Sequence, residues 1–102
     1  SVQTMVFDEV DSGISGAVAD IVGNRLRALG EHCQVLCVTH LPQVAAKGHT
    51  HYRVSKAPVE GMTQSAVERL DSRAREEEIA RMLGGVEISS EARAAARKLI
   101  AV

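Results

Sequence analysis

The sequence predicts an α/β fold: a parallel βαβ unit, then an antiparallel hairpin and two closing helices. Three observations carry this. Two short apolar runs without polar alternation, Thr4–Phe7 and Val35–Val38, flank a segment with helical spacing. That is the pattern of buried parallel strands joined by a crossover helix. Two further runs, His49–Ser55 and Thr63–Leu70, bracket a stretch that holds Pro58 and Gly61, as in a hairpin. From Arg73 onward, apolar positions recur at helical spacing and are interrupted by Gly84-Gly85.

Each element has a local cause. The first run, read from Val2 to Phe7, ends in the acids Asp8 and Glu9. Asp11-Ser12-Gly13-Ile14-Ser15-Gly16 has loop composition, and Ser15 is a suitable N-cap. A helix is expected from Ala17 to Leu29, with Val18, Ile21, Val22, Leu26 and Leu29 on its buried face and Gly30 just past its end. The second strand is Gln34–Thr39. Strand, helix and strand fall within about 35 residues, so the two strands should be parallel. Pro42 fits the first turn of a short helix through Ala46, ended by Gly48. The hairpin turn is expected across Lys56–Met62. A helix over Arg73–Leu83 should bury Ile79, Met82 and Leu83. A last helix over Ser90–Ala101 should lay Ala92, Ala95, Ala96, Leu99 and Ile100 on the sheet.

The bulk numbers set limits. The 102 residues make one domain at most. Apolar residues are 45% and aromatics 2%, so the core must be aliphatic. The net charge of −1, well mixed, gives no basic footprint for nucleic acid, although a larger protein could supply one. No apolar run approaches the roughly 18 residues of a membrane span. With two cysteines and no charged-then-apolar leader, a reducing, cytoplasmic compartment is expected. Because an uncapped strand opens the chain at Val2, a piece of a longer protein is also expected.

The chemistry concentrates at one edge. Parallel strands bring their C-terminal ends together, and ligands of open α/β sheets bind there. Asp8 and Glu9 close the first strand and His40 closes the second. One carboxylate could hold a hydrated magnesium ion, the other could orient a water, and a histidine could donate to a phosphate oxygen. Phosphoryl transfer needs such positioning and charge neutralisation.

Three motifs then carry a resemblance over nearly the whole chain. Thr4-Met5-Val6-Phe7-Asp8-Glu9 resembles the Walker B strand of ABC-type ATPases, Asp11-Ser12-Gly13-Ile14-Ser15-Gly16 their D-loop, and Val38-Thr39-His40 their switch-histidine motif. More narrowly, Phe7–Gly16, Val38–Ala46 and Glu78–Gly85 resemble the RecN family of bacterial DNA-repair proteins, SMC-like heads on a coiled coil. Val10 and Ser15 stand where transporters carry proline and aspartate, which favours the SMC-like branch.

The resemblance implies that residues 1–102 are the C-terminal part of a P-loop ABC/SMC-type ATPase head. Asp8 would hold Mg2+ through water, Glu9 would polarise the attacking water, and His40 would face the γ-phosphate of ATP. Ser12, Gly13, Ile14 and Ser15 would form the D-loop, at the interface of a head-to-head homodimer. The sequence contains neither G-x-x-x-x-G-K-[ST] nor a Ser-Gly-Gly signature. Both are expected upstream, in the other half of the head, so the piece alone should be inactive. The intact protein would use ATP in recombinational repair of double-strand breaks, at the nucleoid and away from membranes. Two other readings stay open at this stage: a head of another SMC-like or ABC ATPase, and a dimerisation module that never meets nucleotide.

Other residues read as structural. Asp8 and Glu9 alone could be solvated acids, and His40 a structural histidine. His49 and His51 share a strand face, which permits a metal, but no third ligand is evident. Cys33 and Cys37 read as buried inert thiols. The mixed charges of Arg73–Arg81, with Glu77 and Arg81 one turn apart, read as a solvated helix face.

Overall fold

The computed structural model describes residues 3–8, 13–84 and 87–100. In chain order the elements are β1 (Thr4–Asp8), α1 (Gly16–Leu29), β2 (Gln34–Val38), α2 (Pro42–Ala45), β3 (Tyr52–Val59), β4 (Met62–Arg69), α3 (Ser72–Gly84) and α4 (Ser90–Ile100). The expected α/β architecture is present. β1 and β2 pair in parallel, from Thr4 opposite Gln34 to Asp8 opposite Val38, and β3 pairs with β4 antiparallel.

The expected burial of β1 and β2 on both faces is corrected. Met5, Phe7, Val35 and Cys37 are half-buried, whereas the other face is open. On that face Val6 is 67% and Val38 59% exposed. Partners in a parallel ladder share a face, so Thr4, Val6, Asp8, Gln34, Leu36 and Val38 form one exposed surface. No described element covers it.

Helix α1 starts one residue earlier than expected. Ser15, in extended backbone, accepts from the Val18 amide at 3.4 Å. Gly30 closes it in right-handed rather than left-handed backbone. The expected stripe is partly wrong: Val18 and Ile21 are exposed, and the buried positions are Ala19 and Gly23. Small residues win because α2 lies very close. A Cβ at Gly23 would sit 2.9 Å from the Gln43 carbonyl oxygen and 2.9 Å from Lys47 Cγ. Alanine is normally the better helix former, by about 1 kcal/mol. Here the backbone contact should outweigh that. Gly23→Val is expected to lower stability by about 1–3 kcal/mol, read as an earlier midpoint in urea unfolding of the head.

The hairpin starts later than expected, at Tyr52 rather than His49, and its turn is tighter. Strands run from Tyr52 to Arg69 around the two residues Glu60 and Gly61. Their φ angles are 50° and 79°, the positive pair that two-residue hairpin turns require. Pro58 lies within β3 rather than in the turn, which a two-stranded ribbon tolerates because each strand is an edge. Every residue of both strands is exposed, including Tyr52, Val54 and Val67.

Helices α3 and α4 pack on each other and on α2. Asp71 caps α3 through the Ala74 amide at 2.8 Å, and Ser89 caps α4 through the Ala92 amide at 3.0 Å. The core is small: Ala46, Ile79, Ala80, Ala92 and Ala96, ringed by Ala45, Met82, Ile88, Leu99 and Ile100. Alanines let the helix axes approach, so α4 seats against helices rather than on the sheet as expected. Ala95 and Leu83, both expected inside, face outward.

The solvated face expected for Arg73–Arg81 is also corrected. Glu78 is buried and its carboxylate takes Arg81 from its own helix and Arg53 from β3, the latter at 3.5 Å. Glu77 pairs with Arg93 of α4 instead of Arg81. A buried acid is tolerated only when partnered. Here it ties the otherwise unsupported hairpin to α3.

Candidate active site

The register of β1 and β2 decides the geometry. Phe7 lies opposite Cys37 and Asp8 opposite Val38, so both strands end level at one sheet edge. The expected adjacency of the two strands therefore holds. Asp8 is exposed on the open face, beside Val38. His40 follows two residues later and is also exposed. The chain turns there because Thr39 Oγ1 accepts from the Leu41 amide at 3.0 Å. Pro42 then opens α2, whose first amides, Val44 and Ala45, donate to the Leu41 carbonyl.

Of the loop after β1, Gly13, Ile14 and Ser15 are described, while Glu9 and Ser12 lie outside the described residues. Gly13 has φ of +75°, a left-handed conformation that favours glycine. Ser15 serves as the cap of α1. A Cβ at Gly16 would lie 3.4 Å from Gln43 Nε2, so the start of α1 abuts α2. The start of α1 at Gly16 and the segment after His40 thus share one neighbourhood.

Among the described residues no cluster of His, Cys, Asp and Glu is arranged to hold a metal ion by itself. Asp8 is the carboxylate at this edge whose chemistry suits a hydrated cation bridged to phosphate. Cys33 and Cys37 are half-buried, and Cys33 Sγ donates to the Leu29 carbonyl at 3.6 Å. His51 is partly buried; desolvation first, and Arg75 second, lower its pKa below the ordinary histidine value. That environment disfavours the imidazolium form.

Sequence reading missed the cations behind α2. Arg75 Nη2 donates to the carbonyls of Ala45 at 3.3 Å and Ala46 at 2.8 Å, and Arg27 Nη1 to Lys47 at 2.7 Å. One signal was available. Arg75 falls on the same helical face as Ile79 and Met82, an arginine within an apolar stripe.

Known proteins resemble this chain over nearly its whole length. The DNA repair protein RecN of Xylella fastidiosa strain Temecula1 is 77% identical over 98% of this chain. Over this stretch, the chain belongs to the RecN family. More distant RecN proteins, those of Haemophilus influenzae and Bacillus subtilis, are 48% and 39% identical over 98% and 97% of the chain. The chain spans about 18% of the length of the RecN proteins it matches first. No family model matches it. Among solved structures, an SMC ATPase from work on ATP-driven dimerization and DNA-stimulated activation superposes with a TM-score of 0.62. It is 12% identical, and the match covers 84% of this chain and 51% of that one. At that identity it shows the fold alone: the RecN-family chain has the fold of an SMC-type ATPase head. Among the described residues no helix is long and apolar enough to cross a membrane.

Proposed function

We propose that this chain is the C-terminal portion of an ATPase head, and that the intact protein binds and hydrolyses ATP during recombinational repair of DNA double-strand breaks. The observation that supports this most is the level ending of β1 and β2, which puts Asp8 beside the strand that leads into His40. The RecN names of its relatives support the repair setting.

In this reading Asp8 holds Mg2+ through water, Glu9 polarises the attacking water, and His40 donates to the γ-phosphate. The magnesium ion would supply charge neutralisation across the β- and γ-phosphates. Ser12, Gly13, Ile14 and Ser15 form the D-loop, which meets a second head in an ATP-bound homodimer. The phosphate loop and the signature motif come from the preceding half of the same head. DNA is engaged by the intact protein, in the cytoplasm at the nucleoid.

His40 provides a discriminating test. In the full-length protein, His40→Ala should lower turnover by about 10²-fold or more, within the usual range for a lost proton-donating or hydrogen-bonding group. The magnesium concentration at half-maximal rate should barely move, because the partner is phosphate and not the ion. A magnesium titration of turnover checks this. Collapse of the metal dependence would make His40 a metal ligand and would refute its assignment.

A further inference from the structure

We propose that Arg75, with Arg27, is a positioning residue for His40, clamping the far end of the segment that carries it. This rests on the ATPase reading above. Helix α2 has only four residues, too few to hold its own shape. Its upstream side is fixed by the Thr39–Leu41 turn. Of its downstream carbonyls, that of Ala45 takes only a long bond from the Gly48 amide, at 3.4 Å, and helix C-termini in general leave such groups to donors from elsewhere. Arg75 from α3 takes those of Ala45 and Ala46, and also Gly48 at 2.5 Å; Arg27 from α1 takes that of Lys47.

Two guanidinium groups from two helices therefore converge on four consecutive residues. Positive charge is favourable at a helix C-terminus. Lys47 adds a weaker tie to α1, its Nζ 3.8 Å from Asp20. Arg75 is costly to place there: burial, and then the charge of Arg27, disfavour its protonated form. An apolar residue at this point of the α3 face would avoid that cost but take the guanidinium donor from the Ala46 and Gly48 carbonyls and leave Ala45 only the long bond from the Gly48 amide. The arginine instead makes the path from Thr39 to Gly48 rigid against both helices. Arg27 belongs to α1, which Ser15 caps, so the same clamp ties the His40 segment to α1.

Kinetics of the full-length protein test the clamp. Mispositioning by about 1 Å can cost on the order of 10²-fold. Arg75→Ala is therefore expected to lower kcat at least tenfold, with KM for Mg-ATP within about twofold of the parent. Arg75→Lys, with charge but no fork, should fall between. A residue acting through His40 adds nothing once His40 is gone, so His40→Ala with Arg75→Ala should be no slower than His40→Ala alone. Additive losses, or a normal kcat for Arg75→Ala beside an impaired His40→Ala, would overturn the inference. A normal kcat for His40→Ala would instead refute the role assigned to His40, and no ATP turnover by the parent protein would refute the ATPase reading. Hydrogen exchange then judges the clamp alone: amides of residues 43–48 should exchange faster in Arg75→Ala, and unchanged protection would overturn it. If Arg75→Ala does not fold, Arg75→Lys and Arg27→Ala carry the same measurements.

Discussion

Glu9→Gln in the full-length protein is expected to slow ATP hydrolysis by about 10²- to 10⁴-fold while leaving ATP binding in place. The amide keeps the size and shape of the side chain. It loses the negative charge that polarises a water for in-line attack. Asp8, the proposed magnesium holder, is untouched, so nucleotide and metal should still assemble. In a head that dimerises around ATP, the variant should accumulate the dimer, since its dissociation would follow hydrolysis. Single-turnover hydrolysis and a nucleotide-binding titration on the same preparation check both halves. A near-normal rate would remove Glu9 from the chemistry. Loss of binding would place it with the metal instead.

The second large effect concerns residues 1–102 taken alone. They are expected neither to bind ATP tightly nor to hydrolyse it. Affinity in P-loop enzymes comes chiefly from backbone N–H groups and a lysine around the phosphates, and no such loop sequence occurs among these residues. Asp8 and Glu9, without a metal, repel a triphosphate. The isolated chain should also self-associate. Its open β1–β2 face carries Val6, Leu36 and Val38, and among the described residues β2 pairs only with β1. An apolar strand with an unpaired edge is a template for further pairing. Calorimetry with Mg-ATP and light scattering of the purified chain check the two claims. Micromolar ATP binding by a clean monomer would contradict both.

The parallel unit was legible because its signals are strong and local. Two unbroken apolar runs, a serine cap at Ser15 and Pro42 at the start of α2 each have one good structural interpretation. Parallel strands followed from them, whereas the register that makes β1 and β2 end level is visible only in the structure. The hairpin turn was drawn too wide because Glu60-Gly61 lacks the Asn-Gly or Asp-Gly pair that marks such turns, while Pro58 nearby gave a false signal. The buried face of α3 was misread because pattern reasoning assigns charges to solvent. Glu78 and Arg75 are inside only because partners from β3 and α2 reach them, and those contacts are 25 to 30 residues away in sequence. Likewise, periodicity showed that α4 had an apolar stripe but not which element it meets. Alanine spacing fits a helix as well as a sheet. At the site, sequence pattern placed Asp8 and His40 on one edge, whereas the cations bracing α2 emerged only from the tertiary structure.

The edge formed by Asp8 and His40 is expected to face the phosphates of ATP. The most direct measurement is the structure of the full-length Glu9→Gln protein with Mg-ATP. It should show Asp8 bonded to a water of the magnesium shell. A ring nitrogen of His40 should lie about 2.7–3.2 Å from a γ-phosphate oxygen. Nucleotide bound with its phosphates away from the ends of β1 and β2, and with Asp8 and His40 both in solvent, would contradict the claim.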